Sequence, residues 1–289
     1  MSGAAWAALS GIGFGVFQVL NARAVRNLNQ IYLATFVQLV AATAVFVVIV
    51  GFEGNAGDLA RIPASSLIYF ALSGMFHFFL GWTTLNQSQV RIGAARTSPL
   101  IATSPIFGLF IALVTTGAVP GPVALVGIAL TVFGAYIVTD PGPEKRAALR
   151  DSAYGLTTSA AWALSAIFTV AGLRGFDDPL LGVTVGMAAA GLAYGAVLLV
   201  AATPRDEAMD REAWALKILA GIIVALATWS RWLGLADAPV GVVLALQLLT
   251  VPTVLLIVAL KPGGEKITLR VWLGAAFVVA GVCLLIAVP

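Results

Sequence analysis

The chain has 289 residues, of which 60% are apolar and only 10% are charged, and its mean hydropathy is +1.00. Soluble domains carry about 25% charged residues, so this composition excludes a water-facing globular protein, a disordered chain and a nucleic-acid binder. Cys283 is the single cysteine, which excludes a disulfide-bonded secreted scaffold. The net charge of +3 fits basic loops that face anionic lipid headgroups. The composition predicts an integral membrane protein.

Ten continuous apolar stretches are long enough, at about 20 residues each, to cross a bilayer as helices. In chain order these predicted spans are 4–20, 31–52, 66–85, 93–116, 122–139, 153–173, 179–202, 214–235, 239–260 and 271–288. Their apolar residues are continuous rather than alternating, which favours helices over barrel strands. Because no basic residue precedes Arg23, we expect the first span to be a retained helix rather than a signal peptide.

An internal repeat relates the two halves of the chain at a fixed offset of 147 residues. Six uncommon matches carry it, and common apolar residues are given no weight. The matched pairs are Gly74 and Gly221, Trp82 and Trp229, Thr103 and Thr250, Pro105 and Pro252, Gly127 and Gly274, and Gly134 and Gly281. Each half then has five spans, and because five is odd, the second half enters the membrane from the opposite side. The sequence therefore predicts inverted repeats, which are typical of secondary transporters.

A proline in the fourth span and a Gly-x6-Gly pattern in the fifth span occur in both halves. This pattern resembles the drug/metabolite transporter superfamily, and its EamA-type ten-helix branch in particular. Gly264 and Glu265 follow Pro252 as a Gly-Glu pair does in that family, whereas Ala118 stands at the aligned position of the first half. The resemblance covers essentially the whole chain.

The first span of the second half carries a further part of the resemblance. Trp162 and Ser165, with Arg174 at the end of the span, are similar to the family's first-helix pattern of tryptophan and a later basic residue. The first half departs from this pattern, because it has three spaced glycines and an arginine at the end of the span: Gly11, Gly13 and Gly15, with Arg23 or Arg26.

The resemblance implies an all-α membrane protein with ten transmembrane helices, arranged as two inverted five-helix repeats around a central cavity. Residues 1–140 would form the first repeat, 141–152 a linker and 153–289 the second repeat. The implied function is secondary-active transport of a small polar, aromatic or cationic metabolite, such as an amino acid, an amine or a drug-like solute, by alternating access. A lipid-linked or glycolipid translocase and a non-transporting membrane subunit are the alternatives.

The absence of catalytic and nucleotide-binding motifs argues against an enzyme. The sequence shows no embedded Ser–His–Asp set, no metal-ligand cluster and no phosphate-binding loop, so we expect neither catalysis nor a cofactor nor a nucleic-acid partner. The expected partners are a small-molecule substrate and the lipid bilayer, with a proton or an exchanged solute as the coupling partner. A monomer and a homodimer both remain open, and the expected location is a bacterial inner (plasma) membrane.

Polar and deep aromatic side chains inside the spans are the candidates for substrate contact, because burying a polar group in lipid is costly. His77, the only histidine, lies near the centre of the third span. It is predicted to contact substrate or to exchange a proton, and an interhelical hydrogen bond is the alternative. Deep tryptophans could form an aromatic wall or pack in the core. The substrate-binding candidates are Phe14, Gln18, Gln38, His77, Trp82, Trp162, Ser165, Trp229 and Gln247.

Two arginines and two prolines complete the set of candidate functional residues. Arg96 and Arg231 are drawn into apolar spans and are predicted as gates, although snorkelling to headgroups explains most charges at helix ends. Pro105 and Pro252 are predicted helix breaks whose freed carbonyls could face a wet cavity, with a plain kink as the alternative.

The distribution of basic residues predicts the orientation of the chain. Thirteen of the 16 Lys and Arg residues lie in or beside the loops after odd-numbered spans, and three lie after spans two, six and eight. Because cytoplasmic loops are enriched in basic residues, the count places both termini outside the cytoplasm. The family resemblance implies the opposite, with both termini in the cytoplasm.

Overall fold

The computed structural model describes residues 2–25, 30–53, 55–116, 121–139, 145–200, 210–238, 240–260 and 267–287. Within these ranges the chain is almost entirely helical and has no β-strand. Arg26, Ala118, Gly264 and Glu265, which contributed to the sequence-based expectations, lie outside the described residues.

Twelve α-helical segments follow one another along the described chain. They are α1 (Gly3–Val25), α2 (Ile31–Glu53), α3 (Ala64–Gly74), α4 (Trp82–Ile101), α5 (Ser104–Thr116), α6 (Pro122–Thr139), α7 (Lys145–Gly175), α8 (Pro179–Val200), α9 (Arg211–Asp237), α10 (Val240–Gln247), α11 (Thr250–Leu260) and α12 (Leu269–Ala287). A 3-10 helix, Asn55–Arg61, precedes α3, and a π-helical turn, Met75–Gly81, joins α3 to α4 without a break.

Length and hydropathy identify the membrane-crossing helices. Six helical stretches of the described chain are long and apolar enough to span a bilayer, and Pro122–Val138, Thr250–Leu260 and Leu269–Leu285 are shorter apolar helices. Only helices satisfy their own backbone hydrogen bonds in lipid without closing a barrel. The architecture is thus that of an all-helical membrane protein. The twelve segments make up ten helices, one for each predicted span, once the interruptions described next are taken into account.

Three interruptions relate these segments to the predicted spans. Gly93 lies inside α4 with φ 78° and ψ 171°, a conformation that glycine tolerates because it has no Cβ, and it separates the third predicted span from the fourth. The fourth span is itself interrupted at residues 102–103, and the ninth span is interrupted at residues 248–249. Helix α7 begins at Lys145, so part of the expected linker 141–152 is helical.

Helices α1 and α9 run antiparallel between the two ends of the bundle. At one end Gly3 at the start of α1 packs against Ala238, just after α9. At the other end Arg23 near the end of α1 pairs with Glu212 at the start of α9. The main apolar core lies between these ends and joins α1, α2, α3, α4, α8 and α9.

Glycines bring the backbones of the two halves together. A Cβ on Gly127 of α6 would lie 2.8 Å from the carbonyl oxygen of Gly281 on α12, and a Cβ on Gly134 would lie 2.6 Å from that of Gly274. The contacts are reciprocal, because Cβ atoms on Gly274 and Gly281 would meet the carbonyl oxygens of the same partners. Helices α6 and α12 therefore cross antiparallel at close range.

Candidate transport cavity

A cavity of about 650 Å³ lies between helices of the first and second halves. Its wall is formed by α1, the π-helical turn, α4, α5, α7, α9, α10, α11 and one residue of α12, and most of the lining side chains are apolar. The polar lining residues are Gln18, His77, Ser98, Ser104, Arg174, Arg231, Gln247 and Thr250.

Stacked rings form one wall of this cavity. The imidazole of His77 stacks on Trp162 with a centroid distance of 5.0 Å and an interplanar angle of 11°, and the ring of Phe14 lies 6.0 Å from that of Trp162 at an angle of 54°. Trp162 Nε1 donates to the backbone carbonyl of His77 at 3.2 Å. Gly81 contributes because a Cβ there would collide with the Trp162 indole. These contacts hold the ring of Trp162 against the π-helical turn.

The side chains of His77 and Gln18 present unused polar atoms beside this wall. His77 is 4% exposed and Gln18 is fully buried. Within the described part of the chain, His77 Nε2 and both amide atoms of Gln18 have no hydrogen-bond partner. Buried polar groups without partners are rare in native proteins, so these atoms mark a part of the cavity wall where hydrogen-bond partners are missing.

The interruption between α4 and α5 lies in the cavity wall. Ala102, Ser104 and Pro105 all line the cavity. Thr103 folds back here, since its Oγ1 donates to the carbonyl of Leu100 at 2.7 Å and shares a hydrogen bond of 2.9 Å with Ser159 Oγ on α7. Irregular backbone at membrane depth is tolerated where protein or a cavity covers it.

The charge of the cavity is positive. Arg231 on α9 lines the wall, is only 8% exposed, and its Nε has no acceptor among the described residues. Arg174 at the end of α7 also lines the cavity, at its exposed edge. No aspartate or glutamate occurs among the described lining residues. The guanidinium of Arg231 therefore stands in the cavity without a counter-ion from the described chain.

The cavity reaches toward one end of the bundle only. Its lining includes Arg174 and Leu235, which lie near the end of α7 and the end of α9. We call this the open end; it is the end at which α1 begins. The opposite end, where Arg23 meets Glu212, is called the closed end.

A buried lysine fills the closed end. Lys217 of α9 is fully buried, and its Nζ donates to Asn21 Oδ1 at 2.5 Å, Gln38 Oε1 at 2.7 Å and Asn86 Oδ1 at 3.3 Å. Asn21 Nδ2 in turn donates to Asn86 Oδ1 at 2.5 Å and to Gln89 Oε1 at 2.6 Å. These five residues form the closed-end cluster. None of the described carboxylates bonds to the ammonium group.

Ion pairs surround the closed-end cluster near the surface. Besides Arg23 and Glu212, Arg91 on α4 pairs with Asp151 on α7 at 3.2 Å, and its guanidinium lies 4.5 Å from the ring centre of Tyr154. Exposed ion pairs each contribute about 0–1 kcal/mol.

The candidate residues divide between the cavity and other places. Those lining the cavity are Phe14, Gln18, His77, Trp162, Gln247, Arg231 and Pro105. Gln38 belongs to the closed-end cluster, and Ser165 shares a hydrogen bond of 3.0 Å with Ser73. The remaining candidates do not line it: Trp82 is fully buried beside Phe17 and Phe78, Trp229 packs half-buried on the main core, Arg96 is half-buried on α4, and Pro252 is exposed.

The closed-end cluster was missed by the sequence analysis as a unit. Lys217 was counted with the basic residues of the loop before the eighth span, although it is the fourth residue of that predicted span, because basic residues near span ends normally face headgroups. Helix α9 begins at Arg211, so Lys217 lies inside the helix. The available signal was the set of amides Asn21, Gln38 and Asn86, which need partners when they are buried in a membrane protein.

Comparisons with known proteins agree with this architecture. The model of the EamA-like transporter family matches residues 1–140. No curated protein matches the sequence. Eleven chains of solved structures match the fold, and one of them, a protein crystal structure, covers 96% of this chain and 96% of its own with a TM-score of 0.67 at 16% identity. That likeness shows the fold alone. Residues 1–140 thus match the EamA-like transporter family, which belongs to the drug/metabolite transporter superfamily, and this match together with the apolar helices supports a multi-pass integral membrane protein.

Proposed function

We propose that the protein is a secondary-active carrier that moves a small solute through the cavity by alternating access. The observation that carries this proposal is the asymmetry of the two ends. A solute-sized cavity reaches the open end past Arg174, while Lys217 and its amide partners fill the closed end. A carrier needs a central site that is exposed to one face at a time.

Inverted repeats, with residues 1–140 opposing 153–289, are part of the same proposal. If the twofold axis ran along the helices, Gly127 would lie at the same height in the membrane as its repeat mate Gly274 and would contact it. The observed partner of Gly127 is Gly281, and Gly134 meets Gly274, which fits an axis perpendicular to the helices. A second matched contact supports this axis: Gly74 packs on the α8 backbone at Gly186, and its repeat mate packs on the α2 backbone.

Alternating access requires the closed end to open while the open end closes. Equivalent halves of opposite orientation provide two such states from one set of contacts. The proposed location is a bacterial inner membrane, with a proton or an exchanged solute as the coupling partner. Under this proposal the cavity-lining candidates, including Gln18, His77, Trp162 and Gln247, contact the solute, and Arg231 takes part in recognition or gating.

Ligand screening of purified protein tests whether the cavity binds a water-soluble solute. Organic acids, amino acids, amines, nucleosides and sugar phosphates are added to the protein in a thermal-shift assay. A ligand at 100 times its dissociation constant adds about 2.7 kcal/mol of stability. Compounds that stabilise the protein are then measured for uptake into proteoliposomes. Flipping of a labelled lipid without solute uptake would favour the lipid translocase instead.

A reversible disulfide tests alternating access itself. In a Cys283→Ser background, Arg23→Cys and Glu212→Cys place two cysteines where an ion pair joins α1 and α9 at the closed end. Oxidation is expected to abolish uptake while ligand binding from the open end persists, and a reducing agent should restore uptake. Arg23→Cys alone is the control, since it cannot form the internal bridge. Undiminished uptake by fully cross-linked protein would contradict the mechanism.

A further inference from the structure

We propose that the cavity selects a small organic anion, whose anionic group pairs with the guanidinium of Arg231 and whose apolar body lies against the ring wall of Phe14, Trp162 and His77. The inference rests on the proposed carrier function and names the substrate class of that same cavity. The sequence-based expectation was a small polar, aromatic or cationic metabolite, and the inference narrows this to an anion.

The first argument is the unsatisfied guanidinium. Arg231 is 8% exposed, and its buried Nε has no hydrogen-bond partner among the described residues. Arginine remains protonated in proteins and offers five donors in a planar fork. A buried charge without a partner is costly, and a bound carboxylate or phosphate would supply the missing acceptors in bidentate geometry.

The second argument is the absence of acidic groups from the described lining. An amine would find only neutral acceptors in this cavity and would be repelled by Arg231. An anion would find further donors, because Gln18 Nε2 has no partner in the described chain and the hydroxyl of Ser98 is also unused. Arg174 at the open end adds a second positive charge along the route of entry, where such charges raise the rate of anion association.

The third argument is the apolar character of the remaining wall. Rings offset from one another, as in the Phe14–Trp162 pair at 6.0 Å, favour contact with an aromatic or branched apolar body. Arg231, the one buried arginine in the described lining, can balance one negative charge. A monocarboxylate with an apolar body therefore fits the wall better than a phosphate dianion, although both present the same kind of acceptor.

Binding of four phenyl compounds to the purified protein in lipid nanodiscs tests the substrate class. Phenylacetate, phenyl phosphate, 2-phenylethanol and phenethylamine share a ring and differ in the charge of the polar group. Thermal shift and tryptophan fluorescence, to which Trp162 contributes, report binding. We expect phenylacetate to bind most tightly, phenyl phosphate more weakly, and the alcohol and amine at least about tenfold more weakly than the acid.

Two variants assign the binding to the guanidinium. Arg231→Gln should weaken phenylacetate binding about 10- to 100-fold, while Arg231→Lys, which keeps the charge but loses the planar fork, should fall between. Without ligand, Arg231→Gln should melt no lower than the wild type, because an uncompensated buried charge is removed; an arginine with a purely structural role would give a lower melting temperature. Arg61→Gln is the control, since Arg61 is exposed and pairs locally with Asp58.

Several results would overturn the anion inference. They are equal or tighter binding of the amine or the alcohol, unchanged phenylacetate binding in folded Arg231→Gln, and no phenylacetate binding to folded wild-type protein. If Arg231→Gln does not yield folded protein, the comparison of Arg231→Lys with wild type decides the same point. The carrier mechanism is judged separately by the closed-end disulfide, which can succeed with any transported solute.

Discussion

Gln89 on α4 donates from Nε2 to the backbone carbonyl of Gln18 on α1 at 3.1 Å. The side chain of Gln18 lines the cavity, and Gln89 also accepts a hydrogen bond from Asn21 in the closed-end cluster. Gln18 of α1 is thus connected, through Gln89, to the closed-end cluster as well as to the cavity wall. A solute that binds the Gln18 amide acts on the same turn of helix that the closed-end cluster holds.

Replacing Lys217 is expected to loosen the closed end. Lys217→Met keeps most of the side-chain volume but leaves Asn21 Oδ1 and Gln38 Oε1 without the ammonium donor, and each orphaned buried group costs about 1–3 kcal/mol. Removing a buried charge opposes this loss, because burying a charge costs free energy. We expect the cost of the orphaned amides to be the larger of the two effects. The melting temperature should fall, and a cysteine placed at Glu212 should react faster with an impermeant maleimide.

The exposed pair Arg61 and Asp58 provides a matched control for this experiment. Arg61→Met removes a cation that is bonded only near the surface, so both measurements should stay close to those of the wild type. A Lys217→Met protein as stable and as unreactive as the wild type would show that the ammonium group does not hold the closed end.

Replacing His77 is expected to reduce transport more than it reduces the yield of folded protein. His77→Ala removes both the ring stacked on Trp162 and the unpartnered Nε2. His77→Phe keeps an aromatic ring and removes both ring nitrogens, so it separates packing from solute contact. We expect uptake per folded molecule to fall at least about tenfold in both variants. Normal uptake by His77→Phe would mean that the imidazole serves packing alone.

Adding a methyl group to the α6–α12 interface is expected to destabilise the protein. A Cβ on Gly134 would lie 2.6 Å from the carbonyl oxygen of Gly274 and 2.7 Å from the backbone nitrogen of Val278, so the helices must separate. We expect Gly134→Ala to cost about 1–3 kcal/mol, measured as a lower melting temperature. Gly195→Ala is the control, because a Cβ there meets nothing within 4 Å. Equal stability of the two variants would contradict the close crossing.

The helical architecture was predictable because it depends on runs of apolar residues and on punctuation by glycine and proline. Continuous hydrophobicity defines a span without any knowledge of its neighbours. The break at Gly93 coincides with the predicted start of the fourth span. The helical start of α7 at Lys145 was not expected, because a charged segment outside the bilayer gives no hydrophobic signal.

The site was less predictable than the fold because lining a cavity depends on how helices are rotated and packed. Trp82 and Trp162 are both deep tryptophans in the sequence, yet Trp82 is enclosed by Phe17 and Phe78 while Trp162 faces the cavity. The burial of Lys217 could not be predicted from the sequence, because its partners come from α1, α2 and α4, far away along the chain. Tertiary neighbours decide such roles.

The orientation of the chain follows from charges that face the membrane surface, and the structure refines the count. Lys217 and Arg231 are buried and do not meet headgroups, but removing one from each side leaves the excess of basic residues at the closed end. We therefore expect the closed end to face the cytoplasm and both termini to lie outside. A C-terminal alkaline phosphatase fusion should be active and a C-terminal green fluorescent protein fusion dark. Fusions after residue 265, between α11 and α12 in the sequence, should give the reverse pattern and serve as the control. Fluorescence from the C-terminal fusion would put the termini in the cytoplasm, as the family resemblance implies, and the open cavity would then face the cytoplasm.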